Sequence, residues 1–197
     1  MSNTTPARIV LASSSRYRRD LLGRLGLAFE VRSPNVDETA HELEGPQALA
    51  LRLACAKARA IRADWPDALI IGSDQVAVCG DVILDKPGNF TNALAQLQLM
   101  RGKASVFHTA LCVLNSRTQR EQTAVVPVTV HMRKYADAQL ERYLRADEPY
   151  DCAGSARIEG LGIALVEKIE GNDPSALIGL PLIALCEMLR NEGLDLP

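Results

Sequence analysis

The sequence predicts an α/β protein: a mixed, twisted sheet flanked by helices. Three observations carry this. Short aliphatic or β-branched runs alternate with longer segments of helical periodicity along the chain. The run Val125–His131 is rich in valine and threonine, as suits a sheet. The helical segments place apolar residues at three- and four-residue steps, so each has one face to bury.

In chain order, the first strand is Arg8–Ala12. Three serines, Ser13, Ser14 and Ser15, follow it as N-cap candidates for a helix over Arg16–Leu25. A second strand spans Phe29–Arg32. Pro46 fits a first helical turn and opens Pro46–Ala63, whose Leu49, Leu53, Ala56 and Ala60 mark a buried face. Strand Ala68–Val78 follows. Thr91 fits an N-cap and opens a helix to Met100. Strands Ser105–Asn115 and Ala124–Met132, helix Ala136–Arg145, strand Gly162–Ile169 and helix Pro174–Asn191 complete the series. The breaks at Pro87–Phe90 and Glu170–Pro174 read as turns within a fold, so a single domain over residues 1–197 is expected.

Composition bounds the function. The chain has 197 residues, 47% hydrophobic and 23% charged, with a net charge of −2. That suffices for a core and provides no basic field for nucleic acid. Residues 1–7 carry no apolar core of signal-peptide type, and no apolar run approaches the roughly 18 residues of a membrane span, so a cytoplasmic location is expected. Five dispersed cysteines without a C-x-x-C argue against a disulfide framework or a zinc site. Cys55 and Cys186 read as small core residues.

Two stretches concentrate chemistry. Leu11–Arg19 delivers serine hydroxyls, backbone N–H groups and Arg16, Arg18 and Arg19 to one helix N-terminus, where free N–H groups and the helix dipole both favour an anion. Gly72-Ser73-Asp74-Gln75 follows an apolar run, and a carboxylate there is costly unless paired, hydrated or bound to metal. Lys57, Lys86, Asp37, Glu38, Arg157 and Glu159 add charges. Singly, each also reads as a solvated face, a cap or a turn. Together they form the inventory that hydrolysis of a nucleoside triphosphate needs, with carboxylate oxygens that favour magnesium or manganese.

The ordered set Leu-Ala-Ser-Ser-Ser-x-x-Arg-Arg (11–19), Val-Asp-Glu-Thr (36–39), Ala-x-x-Lys-Ala (54–58), Gly-Ser-Asp-Gln-Val (72–76), Lys-Pro (86–87) and Ile-Gly-Leu-Pro-Leu (178–182) resembles the Maf family of nucleotide pyrophosphatases over essentially the whole chain. Ser-Asp-Gln-Val, Asp151–Ser155 and Glu159-Gly160 resemble its YceF-type subgroup. The resemblance implies two lobes around a deep nucleotide cleft and release of pyrophosphate from a nucleoside triphosphate. It implies Asp74, Lys57 and Lys86 as catalytic residues, and Ser13, Ser14, Ser15, Arg18 and Arg19 on the triphosphate. It also implies a divalent cation (Mg²⁺ or Mn²⁺) among Asp37, Glu38 and Asp74. Tyr17, Gln75 and Glu159 match the positions that select the base. The subgroup implies 7-methylguanosine triphosphate and a house-cleaning role. Thymidine and uridine triphosphates, or a nucleotide-binding regulator of cell division, remain alternatives. A second copy of the chain is the partner that analogy suggests. Two segments depart from the family pattern: Arg16-Tyr17, where Pro-Trp or Pro-Arg is common, and Ala156-Arg157-Ile158, where an aromatic-lysine-serine run is more usual.

Overall fold

The computed structural model describes residues 8–196; the 1–7 segment lies outside them. Its elements are β1 (Arg8–Ala12), α1 (Arg16–Gly23), β2 (Glu30–Arg32), α2 (Pro46–Ala60), β3 (Ala68–Cys79), β4 (Val82–Leu84), α3 (Phe90–Met100), β5 (Ala104–Asn115), β6 (Arg120–Met132), α4 (Asp137–Asp147), β7 (Val166–Glu170), α5 (Pro174–Ile178) and α6 (Leu182–Asn191). Seven strands form one sheet in the order β2-β1-β3-β5-β6-β7, with β4 also paired to β3. The pairs β1·β2 and β1·β3 are parallel and the others antiparallel, which makes the sheet mixed as expected.

Both faces of the sheet's centre are covered, so β3 opens as a continuous apolar run. Alternate side chains go to opposite faces. Ile70 packs with Val10, Leu53, Ala54 and Ala58 under α2. Leu69 and Ile71 pack with Leu21 and Leu22 of α1 and Leu185 and Leu189 of α6. A third cluster gathers Ala77 and Cys79 with α3, α4 and the inner residues of β5 and β6.

Several elements differ from the sequence expectation for identifiable reasons. The α3 N-cap is Asn89, whose side chain accepts from the Asn92 N–H, so the helix starts one residue before Thr91. The expected last helix is two, α5 and α6. Gly179 takes φ +122° and Pro181 follows, while Ser175 Oγ and Asp173 Oδ2 accept the free N–H groups of Leu182 and Ile183 at 2.8 Å each. Residues Leu161–Leu165 form a 3₁₀ turn ahead of β7. Cys55 is buried as expected, but Cys186 is only half-buried. The buried face of α2 is also rotated from the expected one: Ala60 is exposed, and Leu49, Ala50, Leu53, Ala54, Lys57 and Ala58 point inward.

Candidate active site

The sheet register creates an opening. One edge of β3 pairs with β5 continuously from Leu69 to Val78. On the other edge, Ala68–Gly72 pair with β1 and Ala77–Cys79 pair with β4. Ser73, Asp74, Gln75 and Val76 therefore lie in a gap, where β1 has turned away through Ser13–Ser15 and β4 leads on to Asp85 and Lys86. Sites in α/β sheets form where neighbouring chains part in this way. A cleft of about 660 Å³ lies here, lined by Ser13–Arg18, Glu38, Lys57, Asp74, Gln75, Asp85, Lys86, Asp151, Cys152 and Glu159 among others. That volume suits a nucleotide-sized ligand.

Gly72 explains why a lysine enters this core. A Cβ at position 72 would stand 2.2 Å from the Ala54 carbonyl oxygen and 2.8 Å from the Ala58 nitrogen. The α2 backbone thus rests directly on β3. That approach brings Lys57 Nζ to 2.5 Å from Asp74 Oδ1 and 2.8 Å from Glu38 Oε1. Lys57 is only 6% exposed and Asp74 7%. One buried ammonium therefore gathers two carboxylates. Burial alone would raise the Glu38 pKa, but the hydrogen bond and charge of Lys57, with Lys86 and Arg18 behind it, hold it below the ordinary value.

Glu38 sits on a loop without regular structure, and α2 also secures that loop. Arg52 forks onto Glu44 at 2.7 and 2.8 Å and donates to the Thr39 carbonyl at 2.9 Å. The fork holds Glu44 down at about 2, against an ordinary 4.5.

The serine segment is tied in from the other side. Ser13 Oγ accepts from the Ser15 N–H at 3.1 Å, and Ser15 Oγ caps α1 through the Arg18 N–H. Arg18 Nε and Ser73 Oγ both donate to the Gly179 carbonyl, at 2.8 and 2.9 Å. Burial lowers the Arg18 pKa, while Asp74 and Glu38 oppose that effect. The Gln75 amide nitrogen reaches Thr109 Oγ1 and the Ala176 and Leu177 carbonyls at 2.8–3.1 Å, so that end of the side chain is fixed.

A more exposed group contains Tyr17. Its hydroxyl accepts from Arg16 Nη2 at 2.7 Å and donates to Asp151, whose oxygens lie 3.1 and 3.3 Å away. The Arg16 guanidinium lies over the ring, 4.8 Å from its centroid. Cys152 Sγ is 3.4 Å from the same hydroxyl, and burial raises its thiol to about 11. Glu159 is exposed on the cleft wall.

Most of the expected site residues therefore share one cleft: Ser13, Ser14, Ser15, Tyr17, Arg18, Glu38, Lys57, Asp74, Gln75, Lys86 and Glu159. Two do not line it. Arg19 is exposed beside Asp20, 3.6 Å away, because it falls on the outer face of α1. Asp37 is exposed and accepts from the Thr39 N–H at 2.9 Å, acting as a loop cap. Sequence reasoning did not single out Asp85 as a site residue, and named Asp151 only within the subgroup motif Asp151–Ser155. The Asp85-Lys86 pair was the available signal for Asp85.

The donor set fits a hard divalent cation. The carboxylates on the cleft wall are Glu38, Asp74, Asp85, Asp151 and Glu159, and among the described residues no histidine lines it. Glu38 and Asp74 both contact Lys57 Nζ. A separate group, Cys55, Cys112 and Glu121, has three ligand atoms within 4.8 Å of one another, but lies outside the cleft lining. Arg59 grips its carboxylate through two 2.6 Å bonds, setting a fixed cation beside that position.

The comparisons with known proteins agree with this geometry. Residues 8–192 match the family described as Maf-like protein. The 7-methyl-GTP pyrophosphatase of Thiobacillus denitrificans is 58% identical over 195 residues, covering 99% of this chain and 96% of the relative. The protein of that name from Methylobacillus flagellatus is 55% identical over 187 residues, covering 95% and 97%. The one from Burkholderia lata is 56% identical over 188 residues, covering 94% and 90%. With the family's ordered motifs assembled around one cleft and its match extending over nearly the whole chain, this protein belongs to the Maf family.

Proposed function

We propose that the chain, acting as one Maf-type domain in the cytoplasm, hydrolyses 7-methyl-GTP to the monophosphate and pyrophosphate as a house-cleaning enzyme. The observation that carries the reading is the buried Asp74–Lys57 pair, with the more exposed Glu38 on the same ammonium, at the open edge of β3, in a chain whose full-length relatives bear that activity in their names. Asp74 holds a carboxylate oxygen toward the cleft and takes a proton from the attacking water. The water oxygen adds to phosphorus at the α–β anhydride, the anhydride bond breaks, and pyrophosphate leaves. Lys57 orients Asp74 and Glu38. Lys86, Arg18, Ser13, Ser14 and Ser15 hold the triphosphate by charge and hydrogen bonding. A Mg²⁺ or Mn²⁺ ion held by Glu38 and Asp74 would withdraw charge from the phosphates. Gln75, Tyr17 and Glu159 face the base. Glu159 can accept from guanine N1–H and the exocyclic amine, and its charge suits a ring made cationic by N7 methylation.

The test is pyrophosphate release from 7-methyl-GTP, GTP, dTTP and UTP, with each metal and after chelation. The expected result is a preference in kcat/KM for 7-methyl-GTP, lost with EDTA and restored by Mg²⁺ or Mn²⁺. Preference for a pyrimidine triphosphate would overturn the substrate, activity after exhaustive chelation would overturn the metal, and no turnover on any nucleotide would overturn the enzyme.

A further inference from the structure

Arg16 is the unexpected member of the Tyr17 group. A guanidinium keeps its charge throughout the working pH range, so a permanent cation lies 4.8 Å from the Tyr17 ring centroid. A ring that also receives an N7-methylated guanine would set two cations against one π-system. The Asp151 carboxylate stands 3.4 Å from Arg16 Nη2 and accepts the Tyr17 hydroxyl through contacts of 3.1 and 3.3 Å. These partners are 134 residues apart in sequence, so the contact is set by the fold. We infer that Asp151 is a specificity-positioning residue: it fixes the Tyr17 ring and cancels the Arg16 charge, so that a cationic base is accepted on the face that Arg16 leaves open. This rests on the 7-methyl-GTP reading above.

Two features support the role. The Tyr17 phenol is pushed up to about 12, first by burial, so it stays a donor to Asp151 at any working pH. The Arg16 and Asp151 side chains are 58% and 54% exposed. An ion pair that open contributes little to folding, so variants of it keep the fold and report on binding.

Asp151→Asn retains an acceptor for the Tyr17 hydroxyl and removes the charge. Its KM for 7-methyl-GTP should rise about three- to tenfold and its KM for GTP less than about twofold, with kcat within about twofold for both. Added salt should shrink the difference, because it screens the exposed Arg16 charge. The double variant Arg16→Gln/Asp151→Asn should regain the wild-type preference, a recovery that a merely structural role for Asp151 would not give. Equal KM shifts for both nucleotides, or no recovery in the double variant, would overturn the inference. A wild-type preference for 7-methyl-GTP that survives unchanged in Asp151→Asn overturns the inference alone. A wild type that does not prefer 7-methyl-GTP over GTP removes the substrate reading and the inference with it.

Discussion

The cleft holds two charged groups built on opposite principles. Around Asp74, charges are buried and their spacing is set by backbone contact, α2 lying on β3 at Gly72. Around Tyr17, charges are exposed and their spacing is set by side chains reaching from α1 to the loop at Asp151. The first group has no freedom to vary without disturbing the core. The second can be changed at little structural cost. One cleft thus combines a rigid buried charge pair with an exposed, variable one.

The largest effect should come from Asp74→Asn, which keeps size and removes basicity. A loss of about 10²–10⁴-fold in kcat is expected in a variant that still folds, with a lowered melting temperature, because the buried Lys57 ammonium keeps only Glu38 as its charge partner. Near-normal turnover in the folded variant would break the assignment of Asp74.

Lys57→Met separates stability from activity. Removing one partner of a buried pair strands the other charge, at a cost of about 3–5 kcal/mol. Adding Asp74→Asn should recover much of that stability in urea unfolding and none of the turnover. Recovery of both would show that the pair serves the fold and not the reaction.

Gly72→Ala adds one methyl against the Ala54 carbonyl. Lifting α2 should cost about 1–3 kcal/mol and lower turnover, since Lys57 moves with the helix. Unchanged stability and activity would mean that α2 is not held by this contact. At the exposed group, Glu159→Gln should leave the melting temperature alone and lower the kcat/KM ratio of 7-methyl-GTP to dTTP or UTP. An unchanged ratio would remove Glu159 from base selection.

The smallest effect concerns the loop that carries Glu38. The folded-state pKa of Glu44 is depressed, so its contribution is complete above the ordinary 4.5 and is lost as pH falls toward about 2. The melting-temperature gap between wild type and Glu44→Gln should close across that window. A gap that persists below pH 2 would contradict the Arg52 fork.

Most strands, most helix starts and the serine and Ser-Asp-Gln segments were readable in the sequence because each is a local pattern. Lys57 was more readable than its solvated reading allowed. Leu49, Leu53 and Lys57 continue one stripe at four-residue steps, so a lysine there points inward. What could not be read depends on distant backbone. The three-residue β4 carries too short a pattern, yet its pairing helps to define the gap at Asp74. The motif at Asp151–Ser155 was visible, but nothing in the sequence placed Asp151 against Tyr17. The break at Gly179 was readable from Gly179 and Pro181, but the leucines on either side keep a helical rhythm that outweighed it.

One strand also determines how the cleft can move. β3 contributes Leu69 and Ile71 to one hydrophobic cluster, Ile70 and Val76 to a second, and Ala77 and Cys79 to the third. It is a beam running through the whole molecule, and Asp74 stands at mid-span. A hinge there would have to break the unbroken Leu69–Val78 ladder with β5. Adjustment to a nucleotide therefore falls to the segments that hang from the beam: the loop bearing Glu38, the Asp85-Lys86 turn and the stretch from Asp151 to Glu159. Asp74 and Lys57, seated on the beam through α2, are the stationary point of the cleft.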